Sequence, residues 1–278
     1  MVQSIFQGAL SIMIPVLFAA CGGLFPALAG TLNIALEGML LAGAFASFAV
    51  YNFTGSITAA LIAAVMAAVF LSFLHVIAAF KLRANIFICG IAVNLLSVSL
   101  CIVMSDKIFN TRGVVTLQSS VHNVPSVSTG VYLFFAALLV IAAHIVIYKT
   151  PFGYRLRACE KNSPSLVSLG INPETYRTAA ILISAVFCGI GGSFLSLNLG
   201  AFVQGMSAGK GWIALVLIFL GGHKPAGLLA AAFIFGMAES FSNHIQGIWR
   251  IPADFILAFP YFCTLAAMLF ARKLVKIE

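Results

Sequence analysis

Apolar residues run through this chain in long blocks, separated by short clusters of glycine, proline, asparagine and charge. The blocks lie near 5–28, 33–51, 56–80, 86–105, 131–148, 176–199, 210–222, 225–245 and 253–271. Most approach the roughly 20 apolar residues that a helix needs to cross a bilayer. Block 210–222 is too short to cross fully, which predicts a half-helix or re-entrant element. The pattern therefore predicts an all-α, polytopic transmembrane helical bundle of about eight to nine membrane segments, one of them broken or re-entrant. All of it forms a single domain, 1–278, with its longest polar connections at 106–130 and 149–175. The first block ends in Ala27-Leu28-Ala29, as a secretory leader can. It lacks a basic start and a second block follows at once, so it is expected to stay as the first span.

Composition strengthens this picture. Hydrophobic residues make up 62% and charged residues 8%, against about a quarter charged in soluble domains. Too few polar residues exist to coat a water-soluble core, so the lipid bilayer is the expected surroundings.

The formal net charge of +8 acquires meaning only with topology. If 149–175 is cytoplasmic and the segments alternate sides, Lys81, Arg83, Lys149, Arg155, Arg157, Lys161, Arg177, Lys224, Arg272, Lys273 and Lys276 fall inside. Lys107, Arg112, Lys210 and Arg250 fall outside. Eleven against four follows the positive-inside bias. It predicts a cytoplasmic C-terminus and an outer N-terminus, and gives no reason to expect nucleic acid.

Few residues offer chemistry. The six cysteines are scattered without CxxC or CxxH spacing, so neither a disulfide framework nor a metal site is predicted. His75 and His144 are lone and flanked by apolar residues. No catalytic constellation is present, and the chain is not expected to be an enzyme. The run Gly205-Met206-Ser207-Ala208-Gly209-Lys210-Gly211 resembles a phosphate loop but fails the pattern. Only three residues separate its glycines, and Gly211 stands where a magnesium-binding hydroxyl belongs.

Polar side chains at membrane depth are the better candidates. Asn33 and Glu37 are spaced to share one helical face. An intramembrane carboxylate is costly without a partner and is a functional candidate by default. Its structural alternative is a hydrogen bond to loose backbone at Gly30-Thr31, and this reading is placed slightly ahead. Asn94 and Asn198 complete a candidate substrate path, although Asn94 can equally bridge helices. Glu239 is expected at a solvated helix end.

On the cytoplasmic side, Ser163 suits an N-cap, Pro164 the first helical position and Gly170 the C-terminal cap. They predict a short helix on a basic arm along the membrane face, marginal by itself and suited to docking into a partner, with an ordinary interfacial loop as the alternative.

These two segments carry a family resemblance. Leu32-Asn33-Ile34-Ala35-Leu36-Glu37-Gly38 is similar to the N-I-G-(I/L)-E-G run of nucleoside-branch permeases in the branched-chain amino acid, simple-sugar and nucleoside ABC importer superfamily. Ala35 departs from it, standing where glycine is usual. Gly153, Arg157-Ala158, Asn162 and Gly170-Ile171 resemble that family's coupling loop, with Ser165-Leu166 replacing small residues. Cys188-Gly189-Ile190-Gly191-Gly192 and Gly209-Lys210-Gly211-Trp212-Ile213-Ala214-Leu215 agree in order and spacing. The resemblance implies a permease subunit that forms the path with a second homologous permease. An ABC ATPase would carry the ATP and Mg, leaving no cofactor on this chain, and an extracytoplasmic lipoprotein would deliver substrate. It implies ATPase coupling through Arg155, Arg157, Asn162, Ser163, Ser165, Leu166 and Gly170. Nucleosides lead as substrate, then simple sugars, then branched-chain amino acids. The competing readings are an ion-coupled secondary transporter using Glu37 and a membrane scaffold without transport.

Overall fold

The structure, a computed structural model, describes residues 2–117, 129–246 and 262. It is a helical bundle. In chain order it contains α1 (Val2–Leu28), α2 (Leu36–Thr54), α3 (Ile57–Val76) running into a π turn (Ile77–Lys81), α4 (Ile86–Phe109) and α5 (Thr129–Lys149). Then come α6 (Pro151–Lys161), α7 (Ser163–Ser168), α8 (Pro173–Leu199), α9 (Lys210–Leu220) and α10 (Pro225–Gln246). Among the described residues, six helices are long and apolar enough to cross a membrane, or seven if α5 and α6, bent by 71°, count as one span. The expected eight to nine segments are therefore not reached there, and block 253–271 lies outside the described residues. So do Gln118, His122 and Asn123 of the 106–130 connection. α9 has the expected half length, 11 residues.

Local chemistry fixes the ends. Ser56 caps α3 by accepting from the Ala59 N–H, and Asn85 caps α4 by accepting from Phe87 and Ile88. These caps satisfy backbone donors that the first turn leaves free. The second block starts later than expected, because residues 31–35 form a turn before α2.

Burial separates two kinds of helix. The apolar windows of α1, α2 and α8 are 78%, 72% and 72% buried, whereas those of α3 and α4 are 28% and 33%. The first three form the centre, and the last two present Ile62, Met66, Phe70, Ile88 and Leu95 outward. In hydrocarbon, helices gain by close packing rather than by hydrophobic exclusion, so small residues belong at their contacts. A Cβ added to Gly43 of α2 would stand 2.9 Å from the Gly189 Cα of α8. One added to Gly189 would stand 2.7 Å from the Val65 Cα of α3. Ser47 and Ser196 share a hydrogen bond of 2.9 Å across the same α2–α8 contact.

A second apolar cluster, built on Phe45, Phe48, Tyr51 and Phe202, closes the end of the bundle where α4 and α8 finish. There β1 (Val115–Thr116) pairs antiparallel with β2 (Ala201–Phe202), Val115 opposite Phe202.

Candidate functional site

Two places gather the candidate residues. The first is the turn between α1 and α2. Asn33 precedes α2, which begins at Leu36, so Asn33 and Glu37 do not share a helical face. The Asn33 Oδ1 accepts from the Ala35 N–H at 3.0 Å, folding the turn on itself. Its Nδ2 donates to the Ser184 hydroxyl of α8 at 2.6 Å and to the Met39 sulfur at 3.6 Å. Asn94, on α4, reaches the same turn from the other side. It accepts from the Gly38 N–H at 2.8 Å and donates to the Ile34 carbonyl at 2.9 Å. Ser97, one turn along α4, donates to the Gly38 carbonyl at 2.7 Å. The bridging role considered for Asn94 is thus a clamp on backbone.

Glu37 does not meet Gly30-Thr31. Its two oxygens accept the N–H groups of Gly209, at 2.9 Å, and Gly211, at 2.7 Å. These open α9, where unpaired donors and the helix dipole favour an anion. A Cβ on Gly211 would stand 2.5 Å from the Glu37 Cα, which makes this approach possible only for glycine. The segment that mimics a phosphate loop therefore gives these two donors to a carboxylate of its own chain. Lys210 lies between them, 3.9 Å from Glu239 of α10. Glu239 is partly buried rather than a solvated terminus.

Asn33, Glu37 and Asn94 are brought together; Asn198 is not. It is exposed in the last turn of α8. Nothing in the sequence marks Ser97, Ser184, Gly209 and Gly211 as partners at this site: the two serines lie in apolar helices without a sign of what they face, and the two glycines act through main-chain N–H groups.

The second place is the α6–α7 hairpin. Thr150 caps α6 by accepting from the Gly153 N–H, and donates back to the Val146 carbonyl at 2.6 Å. Gly153 lies against the Val146 and Ile147 carbonyls, which lets the chain bend sharply. Arg157 sits over the Tyr148 ring at 4.8 Å and the Tyr154 ring at 5.0 Å, bracing the bend. Arg155 donates to the Tyr176 hydroxyl at 2.9 Å.

α7 is capped by Asn162, which accepts from the Ser165 N–H, one residue before the expected Ser163. The Ser163 hydroxyl points back to the Cys159 carbonyl at 2.5 Å. At the other end Gly170 takes φ +76°. Its N–H reaches Val167 and that of Ile171 reaches Leu166, both at 2.9 Å, the paired bonds of a Schellman cap.

Leu166 requires a correction. It was expected to face a partner, but is 5% exposed and belongs to the main core, whereas Val167 and Leu169 are 61% and 73% exposed. Leu166 anchors α7, and its neighbours form the free apolar face.

Arg177, counted in the sequence only as charge, holds the hairpin from α8. It donates to the carbonyls of Ala29 at 3.2 Å and Cys159 at 3.3 Å, and to the Ser163 hydroxyl at 3.3 Å. Burial pushes the Cys159 thiol pKa up, with the Arg177 charge opposing.

Comparison with known proteins fits this geometry. Residues 4–270 match the family described as branched-chain amino acid transport system, permease component. The chain belongs to this family. The permease is 32% identical to the nucleoside ABC transporter permease protein NupC of Lactococcus lactis subsp. cremoris, over 98% of its own length and 94% of the relative's. It is 28% identical to the guanosine ABC transporter permease protein NupQ of Bacillus subtilis, over 91% and 87%. It is 26% identical to the putative glucose ABC transporter permease protein TsgC13 of Haloferax volcanii, over 84% and 74%. No solved structure matches. Family and apolar helices together make this a multi-pass membrane protein, and its family is one of transport components rather than enzymes.

Proposed function

We propose that the chain is the membrane-spanning permease subunit of a binding-protein-dependent ABC importer for nucleosides. The observation that carries this reading is end-to-end similarity to permeases whose names specify nucleosides, at higher identity than to the one named for glucose. The machine would hold a second homologous permease, an ATPase carrying ATP and Mg, and an external lipoprotein that delivers substrate. It would sit in the cytoplasmic membrane with the N-terminus outside and the C-terminus inside.

The α6–α7 hairpin supports the ATPase part. It offers Val167, Leu169 and Tyr154 exposed, beside the exposed charges of Arg155 and Lys161. A six-residue helix and its C-cap that turn Val167 and Leu169 outward fit a partner groove better than water. The turn at Asn33 and Glu37 acts in this reading as a joint between helices. Its polar groups are directed at backbone and, through Asn33, at Ser184 of α8 and Met39 of α2.

Reconstitution tests the proposal. Proteoliposomes containing this chain alone take up no labelled uridine or guanosine, whereas the four-component assembly takes up both when ATP is supplied. Uptake by the chain alone sinks the ABC reading in favour of a secondary transporter. Uptake of labelled glucose in place of nucleosides by the full assembly moves the substrate to sugars.

A further inference from the structure

Arg177 is a cation, partly buried, in the second turn of α8. Among the described residues no carboxylate lies within ion-pair distance of it. Removing a charge from water is costly unless something specific compensates. Its compensation comes from element ends. The Ala29 carbonyl lies just beyond α1, the Cys159 carbonyl lies in the last turn of α6, and Ser163 opens α7. Carbonyls at helix C-termini lack intrahelical donors and carry the negative end of the dipole. A planar guanidinium can meet several such acceptors at once, which an ammonium cannot do with the same geometry.

The same face of α8 continues to the other site. Ser184 is seven residues beyond Arg177, two turns along the same side of the helix. It receives the hydrogen bond from Asn33. The strand of chain from Ala29 to Asn33 is thus tied to α8 at both ends. Between them Gly30, at φ +76°, lies so close to α6 that a Cβ there would be 3.2 Å from the Glu160 Cα. Beyond Asn33 the turn leads to Glu37, and through it to the start of α9.

We propose that Arg177 is a positioning residue that transmits movement of the ATPase-docking hairpin to the polar turn at Asn33 and so to α9. The inference rests on the reading of α6–α7 as the ATPase contact. Displacing the hairpin moves the Cys159 carbonyl and Ser163, and the shared guanidinium carries that displacement to Ala29. Because α8 also fixes Asn33, the turn either follows the hairpin or loses a hydrogen bond. Without Arg177 the ATPase still docks on Val167 and Leu169, but its stroke is not passed inward.

The test compares wild type, Arg177→Gln, Arg177→Lys and Ser184→Ala in the four-component assembly in proteoliposomes. Three quantities are read: ATPase retained on the purified complex, ATP hydrolysed with loaded binding protein, and labelled uridine and guanosine taken up. For Arg177→Gln, ATPase retention and hydrolysis stay within about twofold of wild type, while nucleoside moved per ATP falls about tenfold. Arg177→Lys is intermediate. Ser184→Ala cuts the far end of the link without touching Arg177 and lowers the same ratio, so it decides the matter if Arg177→Gln does not fold. An unchanged transport-to-hydrolysis ratio in assembled Arg177→Gln or Ser184→Ala overturns the proposal. So does a parallel loss of assembly, hydrolysis and uptake across the variants, which marks Arg177 as a fold staple only. If the wild-type chain never retains the ATPase, the permease reading fails instead.

Discussion

At the scale of single residues, Glu37 shows how a membrane carboxylate can be held by backbone donors, with no cation in ion-pair contact among the described residues. Its oxygens accept two backbone N–H groups at the start of a helix, and such charge-assisted bonds contribute more than neutral ones. Glutamine keeps the shape but offers one acceptor oxygen, and its amide nitrogen then faces a second donor. Glu37→Gln is therefore expected to cost about 2 kcal/mol, the range for losing a bond to a charged group. It appears as a lower unfolding midpoint of the detergent-purified permease, with nucleoside uptake by the assembled transporter largely retained. Lost uptake at an unchanged midpoint assigns Glu37 a charge-dependent role in transport. The sequence made Glu37 conspicuous, since a carboxylate amid apolar residues must find partners. It did not reveal those partners, because Gly209 and Gly211 contribute only main-chain atoms, which every residue has. Asn94 was legible as a bridge for the same reason, and its clamp on Gly38 and Ile34 was not.

At the scale of elements, the hairpin separates what local rules determine from what they leave open. Pro164 and Gly170 mark the limits of α7 because each acts on its own backbone: one sets φ for the first turn, the other accepts the left-handed φ of the cap. The start was misplaced by one residue because asparagine and serine are equally good caps, and Ser163 uses its hydroxyl to close α6 instead. The buried face was not legible at all. A helix of six residues is under two turns, too short for apolar periodicity to define a side. The structure turns Leu166 inward and Val167 and Leu169 outward, and this changes which variant isolates docking. Val167→Glu and Leu169→Glu leave the core untouched and place a charge where a partner would bury it, at a cost of several kcal/mol when unpaired. Each is expected to abolish co-purification of the ATPase in mild detergent while the permease elutes as a single species. Val114→Glu, at an exposed position beside β1, leaves co-purification unchanged. Leu166→Glu instead destabilises the hairpin, so its loss of ATPase says nothing about contact. Full retention of the ATPase by both Val167→Glu and Leu169→Glu removes this face as the docking surface.

At the scale of the whole molecule, the positions of the six long apolar helices among the described residues were legible, because length and hydropathy alone decide them. Their arrangement was not, because in lipid all spans are apolar on every side and burial leaves no polar stripe to read. The clue that does exist is steric. Gly43, Gly189 and Gly192 look interchangeable in sequence, yet Gly189 is pressed against backbone on two sides. A methyl group there would lie 2.7 Å from the Val65 Cα and 2.8 Å from the Ala64 carbonyl oxygen of α3, while the Cβ position of Gly43 faces it from α2. Two effects of opposite sign then compete in Gly189→Ala. Alanine in a helix interior is favoured over glycine by about 1 kcal/mol. Against that, overpacking a close contact costs about 1–3 kcal/mol, and here the obstructing atoms are main chain, which cannot rotate aside. The steric term wins, so Gly189→Ala lowers the unfolding midpoint and Gly189→Val lowers it further or prevents purification. Gly113→Ala provides the comparison, since an added Cβ there has only the Thr111 hydroxyl nearby, at 3.8 Å. Its midpoint stays at the wild-type value. A Gly189→Ala protein as stable as wild type would mean that α3 and α8 stand farther apart in the bilayer than this packing places them. The central layer of α1, α2 and α8 would then hold α3 through α2 rather than through both α2 and α8.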